Sequence, residues 1–114
     1  MSRTANELGY IEADVTLRRT EDGGRSVPIR SGYRPNWWLP NEAGDAWAAG
    51  SVELCDRDQL PPGATASVRI YPFVPEVWDR VRPGSSLELC EGPVLVGKAT
   101  VRRIVPAAMA VGSR

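Results

Sequence analysis

The sequence predicts an all-β fold, a small closed antiparallel β-barrel of about six strands, and three observations lead there. Apolar and polar residues alternate with period two in several segments. Ten prolines and 11 glycines are spread along the 114 residues, and no uninterrupted helical segment of 12 residues is evident. The Pro/Gly clusters fall at near-regular spacing between short strand candidates, the pattern of a barrel or sandwich. The length fits a single domain, 1–114, with a core over about 10–105 and polar, flexible termini at 1–8 and 107–114.

The elements follow in order. In "YIEADVTLRR" (10–19), Ile11, Ala13, Val15 and Leu17 share one face, and Glu12, Asp14, Thr16 and Arg18 share the other. That is a half-buried strand. "TEDGGR" reads as a turn whose glycine pair supplies positive φ. Gly32 to Pro35 then turns the chain into a strand starting at Asn36, which sends Trp37 and Leu39 one way and Asn36 and Trp38 the other. "WAAGSVELC" (47–55), "ATASVRIYPFV" (64–74) and "SSLELCE" (85–91) are further strands, and "PEVWDRV" has room for one helical turn. "QLPPGA" and "RVRPGS" punctuate them. The last strand, "VLVGKATVRRIV" (94–105), changes apolar phase around Gly97, where a bulge or bend is expected.

Composition argues against most catalytic chemistry. There is no histidine, so the commonest general base and metal ligand are missing. Cys55 and Cys90 cannot form a zinc site alone, and Cys90 reads as a buried or inert strand cysteine. The "DRD" at 56–58 reads as a solvated turn. "GPVLVGKAT" has the glycine and lysine spacing of a phosphate-binding loop at Gly92, Gly97 and Lys98, but Ala99 stands where the hydroxyl is required. The β-branched run that follows is no helix to receive phosphate. The expectation is a non-enzyme with no cofactor, no metal and no nucleotide. "MSRTANELGY" holds no apolar run and no segment approaches 18 apolar residues, so no membrane is expected and the cytoplasm is the expected location.

Acidic and basic residues balance at 14 each, and 13 of the basic residues are arginine. Arg18, Arg19, Arg25, Arg30 and Arg34 fall within 17 residues against Glu21 and Asp22, a local charge of +3. This segment reads either as an ordinary solvated loop or as a recognition patch beside the tryptophan pair. Trp38 likewise has two readings: cover by a neighbouring loop, such as the one holding Trp47, or an exposed anchor beside Arg34.

Several blocks in order, "DGGRSVPIRSGYRPNWWLP", "GSVEL", "PPGATASVRIYPFVPEV" and "LELCEGPVLVGKATVRRIV", resemble the C-terminal β-barrel (domain 3) of bacterial elongation factor Tu. Gly23, Gly24, Arg25 and Pro28 match the first block of that family's pattern, and Gly32, Tyr33, Arg34 and Pro35 the second. Gly50, Val52 and Leu54, then Pro62 and Gly63, and lastly Glu91, Gly92, Gly97 and Val101 match the later ones. The resemblance spans roughly residues 10–105 and implies a six-stranded antiparallel barrel standing alone, with neither the GTPase domain nor the middle barrel. It implies that Trp37 and Leu39 point inward.

In the factor this domain packs on the other two and contacts the T-stem of aminoacyl-tRNA. The chain departs from the pattern where Asn36 replaces a glutamine, Ala49 a threonine and Cys90 an arginine, and where Pro93 and apolar residues fill a polar segment. Several of these positions lie on or near the side that faces tRNA in the factor. The implied function is a non-catalytic, translation-related binding module for a protein or a structured, tRNA-like RNA. The alternative is a regulatory protein–protein module unrelated to translation that mimics the factor's domain. Arg25, Arg30, Arg34, Asn36 and Trp38 are the expected partner-binding residues.

Overall fold

A computed structural model describes residues 8–39 and 46–106. Eight strands run β1 (Leu8–Leu17), β2 (Ile29–Arg30), β3 (Asn36–Leu39), β4 (Ala46–Leu54), β5 (Gln59–Leu60), β6 (Thr65–Pro72), β7 (Ser86–Glu91) and β8 (Val94–Pro106). Six of them close an antiparallel barrel in the order β1-β6-β4-β3-β7-β8, with β8 returning to β1. The expected fold class is therefore the observed one. The short β2 and β5 pair separately as a two-stranded ribbon, through Ile29 with Leu60 and Arg30 with Gln59. The expected flexible termini lie outside the described residues, except that Leu8 opens β1.

The period-two pattern puts Ile11, Ala13, Val15 and Leu17 of β1 into the barrel, where they meet Val68 and Ile70 of β6, Leu87 and Leu89 of β7, and Val101 of β8. Apolar area removed from water on this scale is the main favourable term holding a β-barrel together. On β3, Trp37 and Leu39 are inside and Asn36 is exposed, as the alternation requires.

Two irregularities bend the long β8 around the barrel. One lies where Glu12 and Ala13 face Arg103 and Val101. The other lies where Leu89 and Cys90 face Gly97 and Leu95, leaving Val96 as the extra residue. This second bulge is the phase change expected at Gly97. A Cβ on Gly97 would lie 2.9 Å from the Thr16 carbonyl oxygen, so glycine lets β8 come close to β1 there.

The helical turn expected in "PEVWDRV" is a 3-10 helix over Pro75–Trp78. Its last residue, Trp78, is buried and sets its ring edge-on to Trp37 at 5.5 Å between centroids. The Trp37 indole N–H donates to the Gly50 carbonyl at 2.9 Å, and the Trp78 indole N–H to that of Ala49 at 3.2 Å. Both rings are thus pinned to β4. Gly50 is tight against Trp78, since its Cβ would lie 3.1 Å from that ring.

Candidate binding face

Two groups of residues lie around β3, and they differ in character. The first is a clip beside the strand. Gly23 takes φ of +101°, and a Cβ on Gly24 would fall 2.3 Å from the Arg18 carbonyl oxygen, so only glycine fits this turn. The turn delivers Arg25 to Glu91, with which it forms an ion pair, and stacks the guanidinium over the Tyr33 ring at 4.9 Å. Tyr33 Oη donates to the same Glu91 oxygen at 2.5 Å. Tyr33 is placed by Gly32, at φ of +97°, and by a two-way backbone bridge in which Gly32 N–H donates to Val52 and Val52 N–H donates to Tyr33, each at 2.8 Å. Burial, then the adjacent Glu91 carboxylate, holds the Tyr33 phenol well above its ordinary range.

The second group is a row across the outer surface. The pairing registers set Thr16, Lys98, Glu88, Trp38 and Trp47 side by side on β1, β8, β7, β3 and β4. Trp38 is half-buried, and its ring meets Trp47 at 4.7 Å between centroids, tilted by 58°. Trp47 stays 55% exposed. It belongs to strand β4 and not to a loop, and from there it covers part of the Trp38 ring. A ring set in strand register on a half-open face shares its apolar surface with its neighbour and leaves the rest open.

One row along, Asn36 pairs with Ala49 on one side and with Cys90 on the other. Three of the departures from the family pattern are therefore direct lateral neighbours. The Phe73 N–H donates to the Ala49 carbonyl at 3.0 Å, and the 48% exposed Phe73 ring lies under the Arg34 guanidinium at 5.2 Å. Val74 and Val77 add exposed apolar surface next to it in the chain.

Of the expected partner-binding residues, Arg34, Asn36 and Trp38 come together on this face. Arg30 is exposed on the β2–β5 ribbon, apart from the row. Arg25 is held in the clip with its side chain only 18% exposed, so it is not a free charge at a rim. Trp47 and Phe73 complete the face, and neither was among the expected partner-binding residues. The alternation of "AWAAGSVEL" carried a signal for Trp47, because it puts Trp47 and Ala49 on the outer side.

Among the described residues, no group of three His, Cys, Asp or Glu side chains is placed to hold a metal ion. Cys55 and Cys90 are both free thiols. Burial pushes the Cys90 thiol up, away from reactivity. Among the described residues, no helix is long and apolar enough to cross a membrane.

The closed six-stranded antiparallel barrel defines the class of fold, a small all-β barrel like domain 3 of elongation factor Tu. No family model matches the sequence. The chain is 31% identical over 94 residues to elongation factor Tu 2 of Streptomyces avermitilis, a match that takes in 81% of this chain. The barrel is of the kind that forms the C-terminal domain of elongation factor Tu, and the chain spans 22% of that relative's length.

Proposed function

We propose that this domain is a non-catalytic module that docks a protein partner, in a translation-related setting, through the outer face of β3 and β4. The observation that carries this reading is the open aromatic surface of Trp38, Trp47 and Phe73 with Arg34 stacked at its edge. Exposed aromatics flanked by arginine are the composition of interface hot spots.

Two further observations favour a protein over RNA. Of the five arginines in the arginine-rich segment, Arg19 pairs with Glu21 and Asp22, and Arg25 with Glu91, so two of the five charges are offset by acids of this chain. The other three stand on separate elements, Arg18 after β1, Arg30 on the β2–β5 ribbon and Arg34 over Phe73, whereas RNA affinity arises chiefly from several cations neutralising successive phosphates. The row Cys90–Asn36–Ala49 also offers less hydrogen-bonding reach than the arginine, glutamine and threonine of the family pattern.

The test is capture from a native lysate by the intact chain, with and without ribonuclease, alongside a Trp47→Ala variant. The expected result is a defined protein retained after ribonuclease and lost with Trp47→Ala. Capture that disappears with ribonuclease, or that survives Trp47→Ala together with Phe73→Ala, overturns the reading.

A further inference from the structure

The row that contains the tryptophan pair ends on the other side in a cleft, and that cleft is positively charged. It measures about 390 Å³ and lies between β1 and β8, lined by Thr16, Leu17, Arg18, Leu95, Gly97 and Lys98. Arg18 and Lys98 are both exposed. Among the described residues, neither has a carboxylate within ion-pair distance. The Arg18 guanidinium makes one long contact, 3.4 Å, to the Leu95 carbonyl. Elsewhere, Arg19, Arg25, Arg57, Arg102 and Arg103 each meet an acidic side chain. Glu88 is the cross-strand neighbour of Lys98 without forming an ion pair with it, so two cations against one flanking acid leave the cleft net positive in a concave, partly apolar setting.

We infer that this cleft is a carboxylate subsite of the docking face and receives an acidic side chain of the protein partner while the partner's apolar anchor sits on Trp38 and Trp47. The inference rests on the docking reading of that face, but the cleft can be tested separately. Geometry supports the pairing of the two sites. Lys98 is two strands from Trp38, so roughly 10 Å separates them at the usual strand spacing of about 4.8 Å. An extended peptide covers that distance in about three residues.

Charge decides between a discrete carboxylate and a phosphate chain. Glu88 stands between Lys98 and Trp38 in the row. A continuous polyanion running from the cleft to the tryptophans would pass over that acid, whereas a peptide can place one acid in the cleft and a neutral stretch over Glu88. The Arg18 guanidinium offers a two-pronged donor for a carboxylate and Lys98 a second point of charge.

The experiment is a nitrogen-15 NMR titration of the intact chain with three probes: an acetylated, amidated tri-glutamate peptide, its tri-glutamine counterpart, and a tetrauridylate carrying three phosphodiesters. The expected result is saturable shifts at the Thr16, Arg18 and Lys98 amides with tri-glutamate, weakened by added salt, and none with tri-glutamine. The double variant Arg18→Gln, Lys98→Gln should bind tri-glutamate at least about tenfold more weakly with an otherwise unchanged spectrum, because both side chains are exposed. The exchanged pair Arg18→Lys, Lys98→Arg should keep most of the binding. Equal responses to tri-glutamate and tri-glutamine, tighter binding of tetrauridylate, or an unaffected double variant would each overturn the inference. If the cleft fails while Trp47→Ala still abolishes protein capture, only the carboxylate subsite falls. If capture fails while tri-glutamate still binds the cleft, the docking reading falls, and with it the cleft's place in a docking face.

Discussion

Trp37 and Trp38 are adjacent in the chain and opposite in environment, so replacing each by alanine separates packing from docking. Trp37 is 0% exposed, packs edge-on against Trp78 and donates its indole proton to Gly50. Truncation opens a cavity that costs about 3–5 kcal/mol. Losing the aromatic pair adds about 0.5–1.5 kcal/mol, and losing the hydrogen bond to Gly50 about 1 kcal/mol, with overlap between these figures. A net loss of roughly 4–6 kcal/mol is a large part of a total stability of about 5–15 kcal/mol. Trp38 is half-buried and leans only on its outer neighbours, so Trp38→Ala should cost about 1–2 kcal/mol, mostly the contact with Trp47.

The assay is urea unfolding followed by far-ultraviolet circular dichroism, because both changes remove a fluorophore. With an m value of about 1 kcal/mol per molar urea, the Trp37→Ala midpoint should fall by several molar, or the chain should be unfolded from the start. The Trp38→Ala midpoint should fall by about 1–2 M. Midpoints that fall equally for the two variants would show both rings to be core and remove the basis of the docking face.

Other changes follow from the same geometry. Gly32→Ala meets no atom within 4 Å and should lose only the backbone preference at positive φ, about 1–2 kcal/mol, whereas Gly24→Ala drives a Cβ into the Arg18 carbonyl and should lower the melting temperature further. Because the folded Tyr33 phenol titrates above its ordinary value of 10, its contribution to stability is full below that pH and drains away as pH rises toward the folded value. Thermal melts between pH 9 and 11.5 should therefore show a decline with pH that Tyr33→Phe makes shallower. Arg25→Ala should cost about 1–3 kcal/mol in denaturant titration by stranding Glu91 and Tyr33, with little effect on partner capture. Arg34→Ala should do the reverse, leaving the melt nearly unchanged and weakening capture in the same lysate assay.

The strands were legible because each carries its own evidence. Alternation in "YIEADVTL" and "NWWL" states which side chains go in, and the slip around Gly97 states where the strand bends. What local period does not encode is lateral register. Nothing in "NWWL" says that Trp38 faces Trp47, that Asn36 lies between Ala49 and Cys90, or that Lys98 belongs to the same row. Those relations arise when the barrel closes, and the binding face consists of them. The two-residue β2 and β5 were missed because two residues are too few to show a period. The burial of Trp78 was missed because its 3-10 helix shows no amphipathic repeat, and the ring is captured by a hydrogen bond to Ala49. Arg25 was read as one member of a charged run, whereas its partner Glu91 lies 66 residues away.

The residues that carry the resemblance and the residues that form the face overlap at Arg34 alone, and this governs what the resemblance can transmit. Gly23, Gly24, Arg25, Gly32, Tyr33 and Glu91 build the clip: the glycines permit two tight turns, and the three side chains meet at one carboxylate. These are requirements of geometry, and a chain that keeps them keeps the barrel whatever it binds. Three of the departures fall together in the row Cys90–Asn36–Ala49, next to Trp38 and Trp47, while Pro93 lies apart in the turn between β7 and β8. Against the family pattern, this row exchanges an arginine for a thiol, a glutamine for a shorter amide and a threonine for a methyl group. Each exchange removes reach or a hydrogen-bonding atom, and the tryptophan pair beside them supplies apolar area. A surface changed in that direction suits the proposed docking of a protein, by buried area and a few placed charges, better than contacts along a phosphate backbone. The clip therefore explains why the chain folds as the factor's domain does, and the row is why the proposed docking does not carry over the factor's RNA contacts.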